Sequence, residues 1–412
     1  MDKEHGVKMK PEEPSGRLTH RERFRRVMHF QTVDYIPHIE FGYWDTLMDT
    51  WFKEGHLPES FRDNDGKIYH LRDAEGNISH KIVEIYFGCS QISLHVPKIG
   101  DGPWTKSKVV EEKGNKRILL NSADVLYEEI TEGDRSIPHF LEFPIKDRKS
   151  WESFRDKLLK VDDAWREIPP QEFNKMAREY RESDLPLALY FGSFVGWLRD
   201  WMGFEKFAFL TVDDPGLLED MVAHLVKISL PRLSEFLKHI EYDLGWGWED
   251  ICFNSGPIIN PRTFRSVVFP YMKSVIQLLR QHGIDIIWTD CDGNVTALVP
   301  IWLEAGINCL FPAEVKAGND IFQLRKEYGK NLLIRGGFDK LVLLESKEAI
   351  LKELNRLEPL LEEGGFIPHL DHLCPGGVHF KMYQYYIWEK CHMLGMPEEE
   401  IRNIPALQRF RL

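Results

Sequence analysis

A chain of 412 residues that is 43% hydrophobic and 29% charged, with 30 glycines and 23 prolines, has the balance of an ordinary globular protein and excludes collagen-like, coiled-coil and wholly disordered classes. Its 53 basic residues against 65 acidic ones leave a net charge of -12, which disfavours a sequence-independent grip on nucleic-acid phosphates. No run nears the roughly 18 apolar residues of a membrane-spanning helix, and the start Met1-Asp2-Lys3-Glu4-His5 lacks a secretory core, so a cytoplasmic protein with no nucleic-acid or membrane partner is expected. Six cysteines without C-x-x-C spacing are expected to be free thiols.

Residues 1 to 17, almost without apolar side chains, are expected to form a flexible arm. Thr19 then caps a helix over 21 to 30 with Phe24, Val27 and Met28 on one face, ended by Asp34-Tyr35-Ile36-Pro37. From 38 to 150 short apolar runs alternate with turns such as Asn64-Asp65-Gly66 and Glu75-Gly76-Asn77, which reads as α plus β. Beyond this, apolar segments at 187 to 191, 248 to 253, 284 to 289, 307 to 311, 331 to 335 and 365 to 369 alternate with amphipathic ones, the pattern of parallel strands joined by helices. Asp213-Asp214-Pro215 starts one such helix, which Pro231 is expected to kink or divide; Asn260-Pro261 starts another, stopped by Gly283. Neither G-x-G-x-x-G nor G-x-x-x-x-G-K-[ST] occurs, which favours a closed (β/α)8 barrel over an open nucleotide-binding sheet. A barrel of this kind carries its chemistry at the C-terminal ends of its strands.

Five of those ends are polar: Trp248-Glu249-Asp250, Thr289-Asp290-Cys291-Asp292, Phe311-Pro312-Ala313-Glu314, Arg335-Gly336-Gly337-Phe338-Asp339 and Pro368-His369-Leu370-Asp371-His372-Leu373-Cys374. Asp290 and Asp292 are either helix caps and turn formers or, on one side of an extended segment, paired oxygen ligands for a divalent cation. Glu314 is held at the rim by Pro312, and His372 and Cys374 are the kinds of side chain that bind Zn²⁺. Arg335-Gly336-Gly337 reads either as a backbone cradle for an anion or as a tight turn. Trp246, Trp248 and Trp288 crowd the same rim, either as packing or as walls for a planar ligand.

These residues together resemble the uroporphyrinogen decarboxylase superfamily, which also contains cobamide-dependent methyltransferases. The resemblance rests on Tyr190-Phe191-Gly192-Ser193-Phe194, Gly203-Phe204-Glu205, the Asn260-Pro261 helix, Asp292-Gly293-Asn294, Arg335-Gly336-Gly337-Phe338-Asp339-Lys340, Gly364-Gly365-Phe366-Ile367-Pro368 leading to His372, and the opening Thr19-His20-Arg21-Glu22-Arg23. It implies a TIM barrel over 18 to 412 with an N-terminal extension. The decarboxylases' arginine-rich loop is absent from Pro37-His38-Ile39-Glu40-Phe41-Gly42-Tyr43-Trp44, so uroporphyrinogen itself is not the expected substrate. Against the methyltransferases' His-x-Cys-Gly-Asn zinc segment, Asp290 and Asp292 stand where His and Cys would be, and the later zinc cysteine falls near His372 or Cys374.

The expectation is a corrinoid-linked methyltransferase that moves a methyl group from a small methylated donor, an O-methyl compound among the options, to a corrinoid protein. Asp292, His372, Glu249 and Tyr190 are its expected catalytic residues. Trp248, Trp288, Arg335, Asp339 and His369 are expected to bind substrate, and Asp290, Asp292, Glu314, His372 and Cys374 to hold a divalent metal, Zn²⁺ first. A lyase acting on another small acid, with Asp292 and His372 as acid and base and Arg335 as carboxylate anchor, is the alternative. A non-catalytic corrinoid-binding partner is a third reading, and a homodimer is a further expectation.

Overall fold

The computed structural model describes residues 17–61, 71–72, 78–79, 81–97, 107–130, 138–159, 169–408 and 410; the expected arm, apart from Arg17, and the turns at 64–66 and 75–77 lie outside them. Structure begins with helix α1, His20–Met28. Thr19 accepts from the Glu22 N–H while the Glu22 carboxylate receives the Thr19 N–H at 2.9 Å, a reciprocal cap that satisfies two otherwise orphaned donors. Phe24, Val27 and Met28 are buried, as their spacing requires.

Seven parallel strands follow one another around a curled sheet: β1 (Ser93–His95), β2 (Leu187–Gly192), β3 (Leu244–Trp248), β4 (Ile287–Asp290), β5 (Cys309–Phe311), β6 (Leu333–Phe338) and β7 (Phe366–Leu370). The eighth position is taken by the extended stretch 38–44. On one side the Ser90 N–H, just before β1, donates to His38 O at 2.6 Å; on the other the Cys374 N–H donates to Gly42 O at 2.9 Å and the Trp44 N–H to Cys374 O at 3.2 Å. Glu40 anchors this stretch. Its carboxylate accepts from Lys390 Nζ at 2.5 Å, Tyr386 Oη at 2.8 Å and the Leu370 N–H at 3.2 Å. The arrangement is a TIM-barrel-like fold.

Alternation along each strand sorts the side chains. Ala188, Leu244, Ile286, Trp288, Cys309, Phe311, Leu333 and Ile367 point inward and pack with Ile39 and the buried face of α1. α1 thus plugs the lower end. Arg21 donates to Leu185 O at 3.0 Å, His29 pairs with Asp285 at 2.8 Å, and the Gly365 N–H donates to Val27 O at 2.8 Å, each partner standing just before a strand. Outward residues such as Leu187, Ile287, Leu310, Ile334 and Phe366 join the apolar layer under the surrounding helices.

Between β1 and β2 a separate antiparallel sheet, Lys108–Lys113, Lys116–Leu120, Leu126–Ile130 and His139–Glu142, lies largely exposed and accounts for the mixed pattern before residue 150. Two expectations need correction. The strand placed at 248–253 is Leu244–Trp248. Gly245 and Gly247 resemble turn residues, but the space beside them is filled by the side chains of Leu279 and Phe191, so they are strand positions that admit a neighbour. Pro231 does not divide its helix, which runs unbroken over Pro215–His239, because Val226, Leu233, Phe236 and Leu237 on both sides are buried and hold it in place. Among the described residues no helix is long and apolar enough to cross a membrane, and all six cysteines are free and buried.

Candidate active site

β3 and β4 deliver the acids at their ends. Leu244 and Trp246 point inward along β3 and Trp288 along β4, with Asp290 the last residue of β4 and Asp250 and Asp292 two residues beyond Trp248 and Asp290. Asp290 pairs in register with Trp248 on one side and Phe311 on the other. Asp250, Asp290 and Asp292 each bring an oxygen within 4.8 Å of the others, and the Asp292 N–H donates to Asp250 Oδ1 at 3.0 Å. Gly293 makes this approach possible, since at φ +85 a Cβ would stand 2.5 Å from Cys252 O. Burial pushes the Asp250 carboxyl up to about 7, aided by the charge of Asp292; burial and the charges of Asp250 and Asp292 push Asp290 well above the usual range. Three like charges held this close must retain protons or receive a cation.

His372 closes the group, its Nε2 3.0 Å from Asp292 Oδ2. Burial pulls the imidazole down, but the hydrogen bond and charge of Asp292 outweigh it and the net direction is upward. Phe41, from the eighth position, stacks on the His372 ring at 5.1 Å. Asp292 Oδ1 is buried with no hydrogen-bond partner among the described residues.

Beneath the acids lies an aromatic wall. Ring centroids are 5.3 Å apart for Trp246 and Trp288, 5.7 Å for Trp288 and Phe311, and 5.4 Å for Phe41 and Phe311. The Arg335 guanidinium lies 4.6 Å over Trp288 and 4.5 Å over Phe311. Burial lowers it to about 10, so it remains a cation at neutral pH. His369 is fully buried with its Nδ1 2.6 Å from Leu370 O; a carbonyl only accepts, so that nitrogen carries the proton.

Of the expected site residues, Asp290, Asp292 and His372 come together, Trp288, Arg335 and His369 are buried in the barrel, and Trp248 pairs in register with Asp290 and lies 5.3 Å from the Arg199 guanidinium. Tyr190 is buried on β2 in register with Trp246. Others are engaged elsewhere. Glu249 faces outward and accepts from the N–H groups of Phe194, Val195 and Gly196 and from Ser193 Oγ, which leaves no free lone pair for the catalysis expected of it. Glu314, expected on a metal, accepts from Lys340 Nζ at 3.0 Å and the Gly293 N–H at 2.8 Å. Asp339, expected on substrate, is paired with Lys316 at 2.9 Å and caps Leu341. Cys374 is wholly buried in the apolar core, where burial raises its thiol and keeps it protonated, unlike a metal ligand. Gly336 and Gly337 lie in the β6–β7 ladder, so the backbone cradle read there does not exist. Asp250 and Phe41 complete the site without having been expected in it, and Trp246 stands in its wall.

The fold is TIM-barrel-like, and this acidic, aromatic mouth lies at the C-terminal ends of its strands. Residues 202–386 match the family model Uroporphyrinogen decarboxylase (URO-D). The methyltransferase from Methanosarcina mazei shares the fold with a TM-score of 0.55 at 13% identity, over 95% of this chain and 98% of that one. No curated protein sequence matches the chain.

Proposed function

We propose that the chain is a methyltransferase that takes a methyl group from a small O-methylated donor and passes it to a corrinoid carried by a partner protein. The observation that carries this reading is the meeting of Asp250, Asp290, Asp292 and His372 above the aromatic wall of Trp246, Trp288 and Phe311. An aryl methyl ether is flat and apolar with one weakly basic oxygen, and the wall suits its body while the acids suit its oxygen. In the step proposed, the donor's C–O bond breaks as the acceptor's electron pair bonds the methyl carbon. The oxygen keeps the C–O pair and takes a proton from His372, which Asp292 orients and whose protonated form its charge favours.

The chemistry of the donors fits a divalent cation. Three carboxylates converge, Asp292 Oδ1 is buried and unpartnered, and no thiolate takes part because Cys374 faces the core. An all-oxygen set favours a hard ion such as Mg²⁺ or Mn²⁺ over the Zn²⁺ expected from a cysteine ligand. When bound, such an ion would supply Lewis-acid polarisation of the donor oxygen.

Purified protein supplied with Mn²⁺, reduced cobalamin and methoxyarenes should produce methylcobalamin absorbance, lost in Asp292→Ala. Absence of methylcobalamin with every donor, together with release of CO₂ from a carboxylated substrate, would replace this reading with the lyase alternative.

A further inference from the structure

We propose that Arg335 is an anion anchor inside the barrel, and that the ligand of this mouth is a flat apolar molecule bearing a carboxylate. The inference rests on reading the mouth as the substrate site and names the class of molecule that fills it.

Arg335 follows Leu333 on the inward face of β6 and is 2% exposed. Its two faces are answered by the Trp288 and Phe311 rings, but its edge is not. Nε and Nη1 are buried without a partner among the described residues, and Asp290, whose charge it feels, makes no ion pair with it. Other buried cations of the chain are treated differently. Lys390 is bound to Glu40 at 2.5 Å, Arg23 to Asp34 at 2.6 Å, and Arg325 to the carbonyls of Gly364 and Gly365 at 2.9 Å. A buried charge without a counter-charge is costly, and a guanidinium edge is the shape that a carboxylate's two oxygens match.

Two neighbours share this condition. Trp288 Nε1 on β4 and His369 Nε2 on β7 are likewise buried and unpartnered. The indole N–H adds a donor toward an anion. The neutral imidazole, protonated on Nδ1, offers a lone pair that can take a hydroxyl of the ligand or a water. Strands β4, β6 and β7 thus leave polar atoms unanswered around one cation, among the rings of Trp246, Trp288, Phe311 and Phe41.

The test is a titration of the intact chain followed by tryptophan fluorescence, since two indoles border the site. Benzoate is compared with benzamide and methoxybenzene, its uncharged counterparts. Benzoate should bind at least tenfold more tightly than either. Arg335→Met should abolish that preference, and Arg335→Lys should keep part of it, because charge survives while the fork is lost. Equal affinity for charged and uncharged probes in the natural chain, no binding of benzoate, or a preference that survives Arg335→Met in a folded variant would overturn the proposal. Should Arg335→Met fail to fold, the comparison in the natural chain decides alone. Benzoate preference without methyl transfer would sink the proposed reaction and leave the anchor standing; methyl transfer without the preference would do the reverse.

Discussion

Asp292 and His372, 80 residues apart in the chain, meet with Oδ2 3.0 Å from Nε2 and so tie the loops after β4 and β7 together across the mouth. Asp292→Asn keeps the shape and removes the charge. The imidazole should then titrate at lower pH, read from its ring proton shifts in metal-free protein. The sign for stability follows. A folded-state value above the ordinary 6.5 means protonation favours the fold, fully below that pH and decreasingly as pH rises through the folded value. The natural chain's advantage over the variant should therefore shrink as pH rises. An unchanged imidazole titration would show that Asp292 does not control it.

Glu40 and Lys390 are 0% and 1% exposed and close the barrel's eighth position. Glu40→Gln leaves the ammonium buried without its counter-charge and should cost about 3–5 kcal/mol in urea unfolding. Glu40→Leu combined with Lys390→Met should cost much less than the two changes summed. A loss under about 1 kcal/mol for Glu40→Gln would mean that Tyr386 and the backbone hold the stretch without the ion pair.

His95 is 8% exposed, 2.5 Å from Tyr242 Oη, and pushed down by burial from 6.5 to about 4. The unfolded chain therefore binds the proton first, and stability drains away as pH falls from about 6.5 toward 4. At about 1.4 kcal/mol per pH unit this amounts to about 3 kcal/mol. His95→Gln should flatten the pH dependence of unfolding in that window, and an unaltered slope would assign the acid sensitivity to other groups.

Gly336 at φ +95 has the carbonyl of Pro312 1.7 Å from where a Cβ would be, whereas Gly55 at φ +75 has nothing within 4 Å. Alanine at 55 should cost only the backbone penalty of about 1–2 kcal/mol. Alanine at 336 should force β6 off the loop that follows β5 and prevent folding at ordinary temperature. Similar melting temperatures for the two variants would contradict this.

The barrel was legible because apolar segments of strand length, separated by capped helices such as the one begun by Asp214-Pro215, survive without context. The eighth position was not. Stretch 38–44 has no strand pattern of its own and is extended because Glu40 finds Lys390 and Leu370 hundreds of residues away. In the site, Asp290 and Asp292 were readable from their spacing on an extended segment. Glu249 and Asp250 end the same segment, and only the fold shows that the N–H groups of 194 to 196 claim Glu249 while Asp250 stands beside Asp290. Glu314, Asp339 and Cys374 have ligand chemistry, but only three dimensions show that Lys340, Lys316 and the apolar core already claim them.

The stretch that completes the ring also supplies Phe41 to the His372 face, so the wall of the site and the seam of the barrel are one piece of chain. The bonds of Glu40 in it span sequence separations of 330 to 350 residues. Such distant pairings form late and slowly. The site should consequently be the last region to appear on refolding, with Trp44 and Phe41 reaching His372 only after the two ends of the chain have found each other, and a ribosome still making residue 370 cannot yet present an active protein.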